Sequence, residues 1–121
     1  MRSANRPPHA GLSLAADDAT ARALLPGGAA DGLQLVLFCD GRADGAAIAR
    51  FRRALPAEVP GWVVDVAGAP ATARYFGVRE TPVLAAVADG SLLMLESDCG
   101  ESSCAEVISG ALDGLRSLAA G

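Results

Sequence analysis

Three cysteines, Cys39, Cys99 and Cys104, and one histidine, His9, have the strongest claim to covalent or metal chemistry in this chain. A thiolate can attack a disulfide or bind a metal, and exchange needs a second sulfur close by. Cys99 and Cys104 bracket "CGESSC", while Cys39 ends the apolar run "LVLFC". Zinc usually takes four Cys or His ligands from recognised spacings. "CGESSC" gives two with a loose gap, no second pair exists, and His9 stands in an Arg- and Pro-rich stretch. No metal site is expected. Cys104 falls on an apolar helical stripe and Cys39 on an apolar strand, where a thiol behaves as a small buried hydrophobe. Cys99 lies in the polar "SDCGES" just before a predicted helix. A helix N-terminus lowers a thiol pKa, and the flanking Asp98 and Glu101 raise it, so the two effects oppose. Redox chemistry, if the chain has any, would run through Cys99–Cys104 or Cys39–Cys99.

A second concentration of polar groups lies in "LVLFCDGRADGAAIARF", from Leu35 to Phe51. An apolar strand runs into a glycine-spaced turn and then a helix, the place where many α/β proteins keep their chemistry. The turn holds no nucleophile, no metal-ligand set and no phosphate-binding glycine pattern. Asp40 and Asp44 flank it, and Asp44 suits a helix cap. Arg50, Arg52 and Arg53 form a solvated helix face, or with Arg42 an anion-friendly patch beside the loop.

The elements that position these groups follow from periodicity and turn chemistry. Gly11–Leu14 reads as a short edge strand. Asp17 or Asp18 can cap a helix ending at Leu25, before "PGG". Gln34–Cys39 is near-continuously apolar, as in a strand buried on both faces. A helix from Asp44 to Leu55 places Ile48, Phe51 and Leu55 on one face. Trp62–Gly68 is a further buried strand. Pro70 suits a first helical turn and Gly77 a C′ position, so Ala69–Phe76 is a short helix. Pro82–Ala88 and Ser91–Glu96 are strands joined by Asp89-Gly90, the strongest two-residue hairpin signal. A last helix, Ser103–Leu118, aligns Cys104, Val107, Ile108, Ala111, Leu112 and Leu115. The order is β-α-β-α-β-α-β-β-α, with parallel pairs from the βαβ connections and an antiparallel closing hairpin.

Composition bounds the function classes. The 121 residues are 51% hydrophobic and 20% charged, which is globular, with a net charge of −4. One domain, residues 11–121, is expected behind a flexible tail of residues 1–10. All ten basic residues are arginine, and net acidity argues against a nucleic-acid partner. No apolar run approaches the roughly 20 residues of a membrane span, and no secretory h-region is visible. A cytoplasmic location is expected, where thiols stay mostly reduced, and an odd cysteine count also speaks against a disulfide framework.

One stretch, "ARYFGVRETPVLAAVADGSLL" from Ala73 to Leu93, resembles thioredoxin. Tyr75, Gly77, Val78, Thr81, Pro82, Asp89 and Gly90 stand where that family has its tyrosine, glycine, branched aliphatic, pre-proline residue, cis-proline and turn pair. The resemblance implies a thioredoxin-like α/β fold, with a mixed sheet of four to five strands flanked by helices. It also implies that the family's active-site turn falls on Arg42–Ala46. There the two cysteine positions are Ala43 and Ala46, the preceding aromatic is Arg42, and the buried carboxylate is Leu37. Thiol–disulfide exchange at that turn is therefore excluded. Thioredoxins also bind an extended peptide on the main chain beside the cis-proline, which needs no cysteine.

The expectation is a redox-inactive, cofactor-free binding or chaperone module that holds a protein or peptide client at Thr81, Pro82, Arg42, Ala43 and Ala46. The short "FGV" plus proline segment is similar to the hydrogenase-expression accessory proteins of the HyaE/HupG type. That resemblance implies a hydrogenase subunit with a basic leader as client. The alternatives are an oxidoreductase using the displaced cysteines and a homo-oligomer that associates through a sheet edge.

Overall fold

The computed structural model describes residues 11–30, 32–55, 59–96 and 113. In chain order the elements are β1 (Leu12–Ala15), α1 (Asp18–Ala21), a 3-10 turn (Arg22–Leu24), β2 (Leu33–Cys39), α2 (Gly45–Ala54), β3 (Gly61–Asp65), α3 (Pro70–Tyr75), β4 (Val83–Ala88) and β5 (Ser91–Glu96). They form one sheet in the order β1-β3-β2-β4-β5. β3 runs parallel to both β1 and β2, while β4 is antiparallel to β2 and β5.

The core follows from the two-residue period of β2 and β4. Leu35, Leu37, Cys39, Leu84 and Ala86 face α2, where they meet Ala47 and Phe51, with Ile48 and Leu55 packed alongside. Val36, Phe38, Val83, Ala85 and Val87 face the opposite layer, where they meet Ala21, Leu24, Ala69 and Phe76. Each fully buried Leu, Val or Phe contributes about 1.5–3 kcal/mol. β2 is buried on both faces because helices cover both sides, which explains its unbroken apolar sequence. Gln34 is the polar exception, and its side chain accepts a 2.9 Å hydrogen bond from the Trp62 indole.

The closing hairpin turns on Asp89 (φ 51°) and Gly90 (φ 84°), both left-handed, as a two-residue turn of this kind requires. The Asp89 carboxylate also accepts from Gly32 N–H at 2.9 Å.

Several boundaries move by one residue, and three elements differ from the sequence reading for a physical reason. The first helix is shorter, with Asp17 as its cap, accepting from Thr20 N–H, and it tightens into the 3-10 turn that buries Leu24. β3 stops at Asp65 rather than Gly68, because the Asp65 carboxylate accepts from Ala67 N–H two residues on and folds the chain into a turn. Asp44 is the N-cap residue of α2, yet its carboxylate makes no cap bond. It turns back to accept from Asp40 N–H at 2.7 Å. The expected tail 1–10 lies outside the described residues, and so does the expected helix Ser103–Leu118 apart from Asp113, which is helical and exposed. Among the described residues, no helix is long and apolar enough to cross a membrane.

Candidate functional site

The parallel strands β2 and β3 end side by side, with Cys39 opposite Asp65. β4 begins at the same end, since Val83 pairs with Phe38. Thr81 and Pro82 therefore precede β4 at the end of the sheet where the 40–44 turn follows β2. The Thr81–Pro82 peptide is cis, and both residues are half-buried.

Three aspartates build the turn after β2. Asp40 Oδ1 accepts from Arg42 N–H at 2.9 Å, an Asx-type closure two residues long. Asp44 ties back to Asp40 N–H, and Asp65 Oδ1 reaches across from β3 to Gly41 N–H at 3.3 Å. Gly41 eases this approach, because a Cβ there would stand 3.0 Å from Asp65 Oδ2 and the carboxylate would have to shift slightly. Each carboxylate thus accepts a main-chain N–H of the turn or of its neighbour, an arrangement that fixes shape. Arg42, Ala43 and Ala46 are exposed around it. Arg52 and Arg53 are exposed further along α2, while Arg50 is half-buried.

The described thiol at this end is Cys39, and it is inert by environment. Its exposure is 0%, it packs against the α2 layer, and its Sγ lies 3.7 Å from the Val64 carbonyl as a weak donor. Burial pushes its pKa up to about 12, and the charges of Asp44, Asp65 and Asp40 add to the effect. Such a thiol holds its proton at neutral pH and is a poor nucleophile. Cys99 and Cys104 lie outside the described residues. Leu37 is fully buried. No group of three or more metal-ligating side chains occurs among the described residues.

Pro82 is not on a sheet edge. β4 is paired on both sides, by β2 and β5. The open main chain lies just before the strand, where Arg79, Glu80 and Thr81 make no main-chain hydrogen bond to another described residue. Beside it lies a groove of about 400 Å³ lined by Gly77, Arg79, Glu80, Val83 and Leu95. Sequence reasoning missed both Asp65 and this groove. An aspartate closing a strand just ahead of a glycine-containing turn is a readable signal for the first. The groove brings Leu95 of β5 together with Gly77, two residues after α3, which no local pattern announces.

The fold is thioredoxin-like. A thioredoxin of Malassezia sympodialis superposes with a TM-score of 0.67 at 15% identity, over 90% of this chain and 97% of that one. A thioredoxin variant from Halobacterium salinarum gives 0.61 at 13%, over 88% and 95%. Fasciola hepatica thioredoxin gives 0.59 at 22%, over 80% and 96%. No protein-family model matches the chain, and no curated protein matches it in sequence.

Proposed function

We propose that this chain is a redox-inactive thioredoxin-like binding module that holds an extended segment of a client protein. The segment lies against the main chain of Arg79–Pro82, beside the exposed surface of Arg42, Ala43 and Ala46. The observation that carries this reading is a contrast at one end of the sheet. The main chain at Arg79–Thr81 is free of described partners, while the neighbouring turn has alanine at 43 and 46 and its nearest described thiol is sealed in the core. Main-chain pairing supplies affinity without a nucleophile, and neighbouring side-chain pockets supply selectivity. The groove floored by Val83 and Leu95 suits an apolar client side chain. Within this class, a chaperone or accessory role in hydrogenase maturation fits a chain of net charge −4 that binds a basic leader.

The reading makes two claims, and each has its own test. In insulin reduction the protein gives no rate above the uncatalysed background, and Cys39 stays unlabelled by thiol reagents until unfolding. A rate that Cys99→Ser abolishes would establish the displaced-cysteine oxidoreductase instead. Client capture by pull-down and mass spectrometry, followed by amide-exchange mapping, yields protection at Arg79–Thr81. Ala43→Arg weakens the complex at least tenfold without moving the melting temperature. Protection confined to other surfaces would sink the assigned site.

A further inference from the structure

Beyond client binding, we propose that β5 is a dimerisation edge, pairing antiparallel with β5 of a second copy of this chain. Among the described residues β5 has one strand neighbour, β4. Among the described residues no strand pairs with its outer row of N–H and C=O groups. Edge strands are ordinarily protected by charge, proline or brevity. β5 carries no charge or proline from Ser91 to Leu95, and its only charged residue is the terminal Glu96. Leu92, Leu93 and Leu95 are 38%, 46% and 38% exposed. The opposite edge differs. β1 has four residues, its exposed large hydrophobic is Leu14, and Asp17 and Asp18 follow closely.

The register decides which partner fits. Two residues spaced three apart on a regular strand point to opposite faces. Here the β4–β5 ladder shifts between Ala86 and Val87, with Met94 opposite Ala86 and Leu92 opposite Val87. Leu93 is the extra residue of a bulge. Leu92 faces Val87 and Leu95 faces Ala85, and both of those belong to the layer covered by α1 and α3. The bulge therefore brings Leu92 and Leu95 onto one face.

A two-fold axis between Leu93 and Met94 sets Leu92 against Leu95 of the second copy, and Leu95 against its Leu92. Four leucines then form one continuous strip on that face. Ser91 meets Glu96 of the second copy, so no like charges oppose. A slip of two residues toward the strand end would set Glu96 against Leu93. The strip continues at each end into the groove, since Leu95 lines it. The surface is self-complementary, as an isologous interface must be. A six-residue edge is small for a stable interface, so the dimer is concentration-dependent.

Sedimentation equilibrium of the full chain over a hundredfold concentration range tests this. The average mass climbs from one chain toward two. Leu92→Lys and Leu95→Glu each move the transition to at least tenfold higher concentration. An equimolar mixture of the two variants restores association, because one contact row then joins an ammonium to a carboxylate and the other keeps its leucines. Leu14→Lys, on the far edge, changes nothing. Circular dichroism checks each variant's fold. Should either variant unfold, amide exchange on the unmodified chain decides, with β5 protection rising with concentration. A wild-type monomer throughout, equal loss in Leu14→Lys, no recovery in the mixture, or β5 protection independent of concentration would each overturn the proposal.

Discussion

The parallel strands β2 and β3 both end on an aspartate-closed turn, and the two turns are anchored in opposite ways. The turn after β3 is locked from outside. Gly68 packs so closely on the Ala16 carbonyl that it admits no side chain. Asp18, far away in α1, accepts from Ala71 N–H, Thr72 N–H and the Thr72 hydroxyl, so it caps α3 across the layer. The turn after β2 is held by its own aspartates and by Asp65, and α2 starts with no side-chain cap bond. Alanines 43 and 46 stand exposed there. One turn is a structural joint. The other keeps its shape while Arg42, Ala43 and Ala46 stay exposed.

Glycine substitutions put the contrast at its largest. Gly68→Ala drives a Cβ into the main chain of Ala16, which cannot step aside as a side chain can. Overpacking of this kind costs about 1–3 kcal/mol, more where backbone must move. Gly41→Ala meets only the Asp65 carboxylate, which can rotate, so the expected loss is under about 1 kcal/mol. Chemical denaturation of both variants checks the ranking. Equal losses would remove the distinction between joint and open turn.

Acid sharpens it next. Hydrogen bonding from the Thr72 main chain holds the Asp18 carboxyl below its usual range, and Thr20 does the same for Asp17. A depressed folded pKa stabilises the protein fully above the unfolded value of about 4, and the contribution disappears as pH falls through the folded value. Melting temperature should therefore drop on acidification below about pH 4. Asp18→Asn melts lower at neutral pH and loses less on acidification, because its one amide oxygen keeps the Thr72 bonds, its NH2 cannot accept from Ala71 N–H, and it carries no charge to titrate. An unchanged acid slope in that variant would detach Asp18 from the joint.

The legible parts of the molecule are those with local causes. Strand periodicity, Asp89-Gly90 and Pro70 placed the βαβ order and the hairpin, and Ser91–Glu96 falls where expected. The overrun of β3 has a physical reason. Val66 is apolar, yet the Asp65 carboxylate folds the chain away from the strand path. The role of Asp18 was hidden because its partner Thr72 lies 54 residues off. Capping looked local for Asp17 and was, since Thr20 is its partner. At the site, the turn between β2 and α2 could be read from the strand-to-helix pattern. The clamp from Asp65 and the groove at Leu95 needed the sheet order, which brings distant strands to one end.

The smallest expected effect on stability comes from placing two sulfurs on the open turn. Ala43 and Ala46 are exposed, and no described side chain depends on their methyl groups for burial. Ala43→Cys with Ala46→Cys in one chain should shift stability by less than about 0.5 kcal/mol in the reduced state. The position at 46 lies in the first turn of α2, where the helix dipole favours a thiolate. The double variant should therefore gain dithiol–disulfide exchange with a small disulfide reporter, while each single variant gains none. Its rate stays modest, because Leu37, buried in the α2-side core, supplies no proton acceptor. A double variant that folds normally but fails to close a disulfide would mean that the turn after β2 does not hold positions 43 and 46 at disulfide distance. It would then no longer serve as the preserved half of the contrast between the two turns.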